Sequence, residues 1–124
     1  MGTGPGWIVY YKSSDFLQPG PSRTFVFLDE RADSINDGYY AVDMTGFPEQ
    51  PASWMLVDLP ASYHNGAGGF SFVDGHSEPK KWMDSRTKPP LDWGADIDLV
   101  STRSQRGANN QDVFWMLDRS TRKM

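Results

Sequence analysis

Apolar residues in this chain come in short bursts separated by Gly, Pro and Asp, and the spacing inside each burst gives the expected elements. Trp7-Ile8-Val9-Tyr10-Tyr11 consists of β-formers after a Gly/Pro opening and reads as a strand. Leu17 to Ser22 is a loop, because Pro19 and Pro21 have no N–H to give to a ladder. Thr24-Phe25-Val26-Phe27-Leu28 is apolar on both faces, which predicts a central strand. Asp33 to Gly38 is turn chemistry, Tyr39 to Met44 a third strand, and Phe47 to Ser53 a Pro-containing loop. Trp54-Met55-Leu56-Val57 is too short to assign. Phe70 and Phe72 share one face of a strand, Asp74-Gly75 turns the chain, and Glu78 to Trp82 returns as its partner. Pro79 confines that partner to an edge, which Lys80 and Lys81 protect.

The second half is more polar. Ser85 to Trp93 reads as a loop broken by Pro89-Pro90. Asp96-Ile97-Asp98-Leu99-Val100 alternates polar and apolar, as a half-exposed strand does, and Ser101 to Gln111 is expected to be a loop. Only the last segment carries helical spacing, with Val113, Met116 and Leu117 on one face. Asn109 or Asn110 can cap it, Asp112 sits at its positive end, and Arg119, Arg122 and Lys123 sit at its negative end. The pattern predicts an α+β fold, mainly antiparallel sheet, loop-rich, with one short C-terminal helix, in a single domain over 1–124.

Composition narrows the function. With 38% hydrophobic and 23% charged residues the chain is globular in character, and a formal charge of −4 argues against phosphate-driven nucleic-acid binding. The absence of Cys excludes disulfides, thiolate metal sites and a Cys nucleophile. No apolar run has the length of a membrane span, and Met1 to Gly6 lacks the features of a signal peptide, so no membrane span is expected in this chain.

The chemistry-bearing side chains form two groups. Gly69-Phe70-Ser71-Phe72-Val73 begins like a nucleophile elbow, but it ends in Val and lies in a strand pattern, so Ser71 is not read as a nucleophile. His64 and His76 flank Asp74. Folded together, these groups would hold a transition metal or polarise a water; folded apart, they are turn and surface residues. An enzyme reading places His64, Asp74 and His76 at the centre of a metal-dependent hydrolase for a small ester or lactone, with Glu30 as base. Asp33 to Met44 fails as an EF-hand at Ile35 and Met44, leaving turn formation or irregular cation binding for its acids. Trp54, Trp82 and Trp93 are either packing residues or a ligand platform. The second group is the polar stretch Ser101 to Asp112, whose Asn and Asp side chains and carbonyls have the oxygen chemistry to wrap Ca²⁺. A clamp of that kind would offset the ordering entropy of a loop with so little to pack.

His64-Asn65-Gly66-Ala67-Gly68-Gly69-Phe70-Ser71-Phe72-Val73-Asp74-Gly75 places nine residues between His64 and Asp74-Gly75. This resembles the H-X9-DG domain of bacterial prepilin-type proteins, as do Phe25 to Gly38, Pro60 to His64 and Gly75 to Glu78 around it. The stretch Asp96 to Ser101, followed by a polar loop and Asn110 to Trp115, is similar to the end of the globular head of major type II secretion pseudopilins. There a D-I-D-x-x-S strand leads through a calcium loop to D-A-D-I. The resemblance implies Ca²⁺ held by Asn110 and Asp112 and by backbone oxygens around Leu99, Ser101 and Thr102. The match departs from the family at Gln105 and Asn110, where the family carries Asp. It also lacks the basic leader and long apolar helix of prepilins.

The resemblance implies a structural role. The sheet would expose an apolar face where that helix normally packs, and so meet other pseudopilin-like subunits or a second copy of itself. The location would be the periplasm or cell envelope with an upstream prepilin segment, and the cytoplasm without one.

Overall fold

The computed structural model describes residues 6–10, 17, 19–31, 40–63, 65–89 and 99–122. Three strands form an antiparallel sheet: β1 (Phe25–Leu28), β2 (Ala67–Phe72) and β3 (Ser77–Lys81), in the order β1-β2-β3. Two helices follow, α1 (Leu99–Gly107) and α2 (Gln111–Asp118). Single 3-10 turns at Pro21–Arg23 and Pro51–Ser53 begin with Pro, whose fixed φ suits a first helical position.

The β2–β3 hairpin follows the expected pattern. Gly68, Phe70 and Phe72 are buried while Ala67, Gly69 and Ser71 face outward, the alternation that a pleated strand imposes. Phe70 pairs with Glu78 and Gly69 with Pro79, so Pro79 sits on the edge strand, as its missing N–H requires. The Gly75 N–H donates to the Phe72 carbonyl at 3.0 Å, and Gly75 holds φ 92°, a conformation that favours glycine.

The core lies between the inner face of this sheet and α2. Phe70 meets Phe25, Trp82 and Trp115 edge to face, with centroids at 5.1, 5.7 and 4.8 Å. Val113, Met116 and Leu117 project from α2 into the same cluster, as their i, i+3, i+4 spacing predicts. Trp54, Leu56 and Leu59 close it from the connecting segment, so Trp54 and Trp82 are packing residues. Trp93 lies outside the described residues.

Four expectations need correction. Among the described strands β1 is an edge, not a central strand: its pairing with β2 shifts at Val26, and Val26 and Phe27 are exposed. Residues 7–10 do not add a strand to this sheet; the Ile8 amide instead donates to the Arg122 carbonyl near the other end of the chain. Residues 40–44 are likewise no strand, because side chains answer their backbone. The Ala41 amide donates to Asp58 Oδ2 at 2.7 Å, and the Thr45 amide donates to Asp43 Oδ1 at 2.9 Å. Last, Leu99 and Val100 are helical, and α1 replaces most of the loop expected over Ser101 to Gln111. The described residues thus hold two α-helices where one was expected. Tyr11, the Asp33–Gly38 turn, Tyr39 and Asp96 to Asp98 lie outside the described residues.

Candidate functional site

The first candidate group sits at the tip of the β2–β3 hairpin. Asp74 Oδ1 accepts from the His76 amide at 3.1 Å and makes a second, short hydrogen bond with the His76 ring at Nδ1. The other ring nitrogen, Nε2, lies 3.3 Å from Glu78 Oε2 on β3. The imidazole stacks flat on Phe72, with centroids 4.4 Å apart and planes 8° apart. Asp74 stands in the turn and Glu78 on β3, and the His76 ring between them reaches both carboxylates. The Asp74 hydrogen bond is the main influence raising the His76 pKa above its ordinary value; the charges of Asp74 and Glu78 act the same way. In return, the His76 ring and amide hold the Asp74 carboxyl below its ordinary value.

The same turn is tied to the rest of the fold. The Asp74 amide donates to the Pro21 carbonyl at 3.2 Å and the Val73 amide to the Thr24 carbonyl at 3.0 Å. His64 lies outside the described residues. Glu30 takes a different position, bridged to Pro60 and beside a polar group around Tyr40. There the Tyr40 hydroxyl donates to the Asp58 carbonyl at 2.8 Å. Burial pushes its pKa well up, and the charges of Asp58 and Glu30 add to this.

The second group is built where α1 meets α2. Asn110 is fully buried and caps α2: its Oδ1 accepts from the Asp112 amide at 2.9 Å. Its Nδ2 donates to the Arg106 carbonyl at 2.9 Å and to Thr87 Oγ1 at 3.0 Å. The Asp112 side chain is 1% exposed and points at the loop after β3. Its Oδ2 accepts from the amides of Met83 (3.0 Å) and Asp84 (2.9 Å) and from the Thr87 hydroxyl (2.8 Å). Oδ1 accepts from the Met83 amide at 3.1 Å and lies 3.9 Å from Lys80 Nζ. A carboxylate in the first turn of a helix also suits the positive end of its dipole.

Two arginines complete this joint. Arg86 donates to the carbonyls of Gln105 and Ala108, both at 2.8 Å, which satisfies groups at the C-terminal end of α1. Asp84 holds that guanidinium from the other side at 2.7 Å. Arg106, buried in α1, donates to the Leu56 carbonyl at 2.7 Å and bonds to Thr102 Oγ1 one turn earlier. Gly107 comes so close to the segment before it that an added Cβ would stand 2.4 Å from Met55 Cα.

Of the five residues that the resemblance names for calcium, Asn110 and Asp112 meet in this joint, while Leu99, Ser101 and Thr102 lie on a helix. The side-chain oxygens of Asn110 and Asp112 accept from N–H and O–H donors of the chain itself. Thr87, Arg86 and Arg106 were not singled out from the sequence. The signal present was Asp84-Ser85-Arg86-Thr87, an Asx-turn composition in which Asp84 Oδ1 accepts from the Arg86 amide at 2.9 Å. Among the described residues, no helix is long and apolar enough to cross a membrane.

Comparison of the chain with protein-family models, with curated proteins and with solved structures gives no match.

Proposed function

We propose that the chain is a structural subunit, a pseudopilin-like head that works by associating through the outer face of its sheet. The observation that carries this reading is the division of labour between the two faces. The inner face is packed by the protein's own rings and the Asn110–Asp112 joint is filled by the protein's own donors, while the outer face holds Phe27, 71% exposed, over small residues with the Asp29 carboxylate beside Gly69. Phe27 pairs with Ser71, so both stand on that face, with Gly69 and Pro79 beside them. Together they line an open groove of about 340 Å³. An exposed edge strand ending in an aromatic knob beside a shallow groove is self-complementary, and a two-fold contact places each knob in the groove of the other copy. The occupant proposed is therefore a second copy of this chain.

In this reading Ala67 to Lys81 is a hairpin whose tip is locked by Asp74 and His76, and Asn110–Asp112 is the joint that seats the last helix. Photo-crosslinking tests the reading directly. A benzophenone side chain in place of Phe27 keeps an aromatic group at the knob and is expected to link to a second copy on irradiation, whereas the same group at Ser104, on exposed α1 surface, leaves the chain monomeric. Equal cross-linking at both positions, or none at position 27, overturns it.

One observation supports the enzyme reading as an alternative: an imidazole held between the carboxylates of Asp74 and Glu78 at an exposed turn. That reading is a metal-dependent hydrolase of small esters or lactones. It requires hydrolysis of a nitrophenyl ester that depends on added divalent metal and is lost in His76→Ala.

A further inference from the structure

We propose a ligand site on the side of the molecule near Trp7, away from the sheet groove, that takes a molecule with an apolar or aromatic body and one anionic head. The cavity there has a volume of about 570 Å³ and is lined by Trp7, Phe47, Pro48, Phe114, Asp118 and Arg122. That volume falls within the range of small-molecule sites, roughly 300–1,000 Å³, and the wall has their usual composition of rings with a few polar groups. The three rings form a continuous surface: Trp7 and Phe47 stand 6.4 Å apart and Phe47 and Phe114 5.7 Å apart, all tilted. Phe47 is a core residue, 5% exposed, so the half-buried rings of Trp7 and Phe114 on either side of it supply most of the apolar surface offered to a flat or alkyl body.

The charge at one end of this wall gives the sign of the head group. Three guanidiniums surround the single carboxylate of Asp118: Arg23 at 2.7 Å, Arg122 at 2.8 Å and Arg119 at 3.5 Å. Arg122 and Arg119 also donate to the last carbonyls of α2, at 2.8 and 3.2 Å. Glu78 also acts on Arg119, so three cations face two carboxylates and the partial negative charge of a helix end, which together do not fully balance them. The cluster stays cationic in a chain whose net charge is −4, so it is a local inversion and not a consequence of composition. The Arg119 pKa is lowered chiefly by burial, with Arg23 and Arg122 lowering it further against the opposing pull of Asp118 and Glu78. Arg122 lines the cavity itself, 5.5 Å from the centroid of Phe47, which places a cation beside the aromatic wall. A carboxylate or sulfonate at that point relieves the excess charge, while the attached body covers the rings.

The experiment compares two fluorescent probes that differ in their charge, anilinonaphthalene sulfonate and the neutral N-phenylnaphthylamine, on the folded protein. The anionic probe is expected to bind about tenfold tighter, the scale of one hydrogen bond to a charged group. Arg122→Gln is expected to remove that preference while leaving the neutral probe bound. Lys81→Gln, which removes a charge from exposed β3, leaves the preference unchanged. Should Arg122→Gln fail to fold, the parent protein alone decides, since the preference must shrink as salt screens the cluster. Displacement of the anionic probe by dodecanoate or by phenylpropionate tells an alkyl from an aromatic source. Equal affinity for the two probes, a preference indifferent to salt, or displacement by neither acid overturns the proposal.

Discussion

Removing the Asp112 carboxylate probes the joint between the last helix and the hairpin. In Asp112→Ala the amides of Met83 and Asp84 and the hydroxyl of Thr87 lose the oxygen that they share at 3.0, 2.9 and 2.8 Å. A buried donor left unsatisfied costs about 1–3 kcal/mol; the two amides are part-buried, which places them at the low end of that range, and loss of an acid at a helix N-terminus adds roughly 0.3–1 kcal/mol. Thr87 is fully buried and its hydroxyl turns instead to Asn110 Oδ1, 3.5 Å away, so the expected total lies at the lower end, about 3–5 kcal/mol. For a chain of this length that corresponds to a melting point lower by roughly 12–20 °C. Asp112→Asn separates hydrogen bonding from shape. A carboxamide oxygen at the Oδ2 position keeps all three donors, while the amide at the Oδ1 position opposes the Met83 N–H and the Lys80 ammonium. Its expected cost is about 1–2 kcal/mol. Urea unfolding followed by tryptophan fluorescence measures both variants on the same footing, with unchanged slope as the sign of an unchanged folded state. An Asp112→Ala variant within 1 kcal/mol of the parent, or one no worse than Asp112→Asn, refutes this reasoning.

The remaining predictions concern the turn, the close contact under α1 and the cation. His76 has a raised pKa, so the stability from its protonated form is present at low pH and is lost as pH rises through the folded-state value. Proton NMR titration of His76 is expected to give a midpoint above the ordinary 6.5, falling back in Asp74→Asn. An identical midpoint in the variant contradicts the hydrogen bond as its cause. Asp74 acts in the opposite sense: its contribution holds above the unfolded-state value and is lost as pH falls through the lowered one. Gly107→Ala forces a Cβ against the Met55 backbone at 2.4 Å and is expected to cost about 3 kcal/mol or more in a urea melt, although Ala is the better helix former. Calcium binding through Asn110 and Asp112 requires the joint to surrender its internal donors, so melts in calcium and in chelator are expected to coincide. A midpoint that climbs with calcium concentration places the cation in the joint.

What the sequence makes legible follows where side-chain periodicity and burial coincide. Phe70 and Phe72 face inward, Asp74-Gly75 turns, Pro79 and the two lysines sit on an edge, and Asn110 caps α2, all as their positions predict. α1 was illegible for the opposite reason. It carries no apolar stripe after Val100, and it is anchored by Arg106 reaching carbonyls of the 56–57 segment and by Arg86 at its C-terminal end. Polar anchoring across fifty residues leaves no local period to read. The strand expected over 40–44 failed similarly, because Asp58 answers the Ala41 amide from a distance in sequence that no local pattern reports. At the candidate site, the sequence put Asp74 near His76 and Asn110 near Asp112. It did not reveal that Met83, Asp84 and Thr87 would bind the second pair.

Sedimentation velocity over a concentration series, on the parent and on Phe27→Asp, tests the proposed role most directly. Phe27 is largely solvent-exposed, so the substitution is expected to leave the melting point unchanged while placing a charge at the centre of the proposed contact. The account predicts a parent that passes reversibly from monomer to dimer as concentration rises and a variant that stays monomeric throughout. A monomeric parent at every concentration, or a variant that dimerises as readily as the parent, contradicts it.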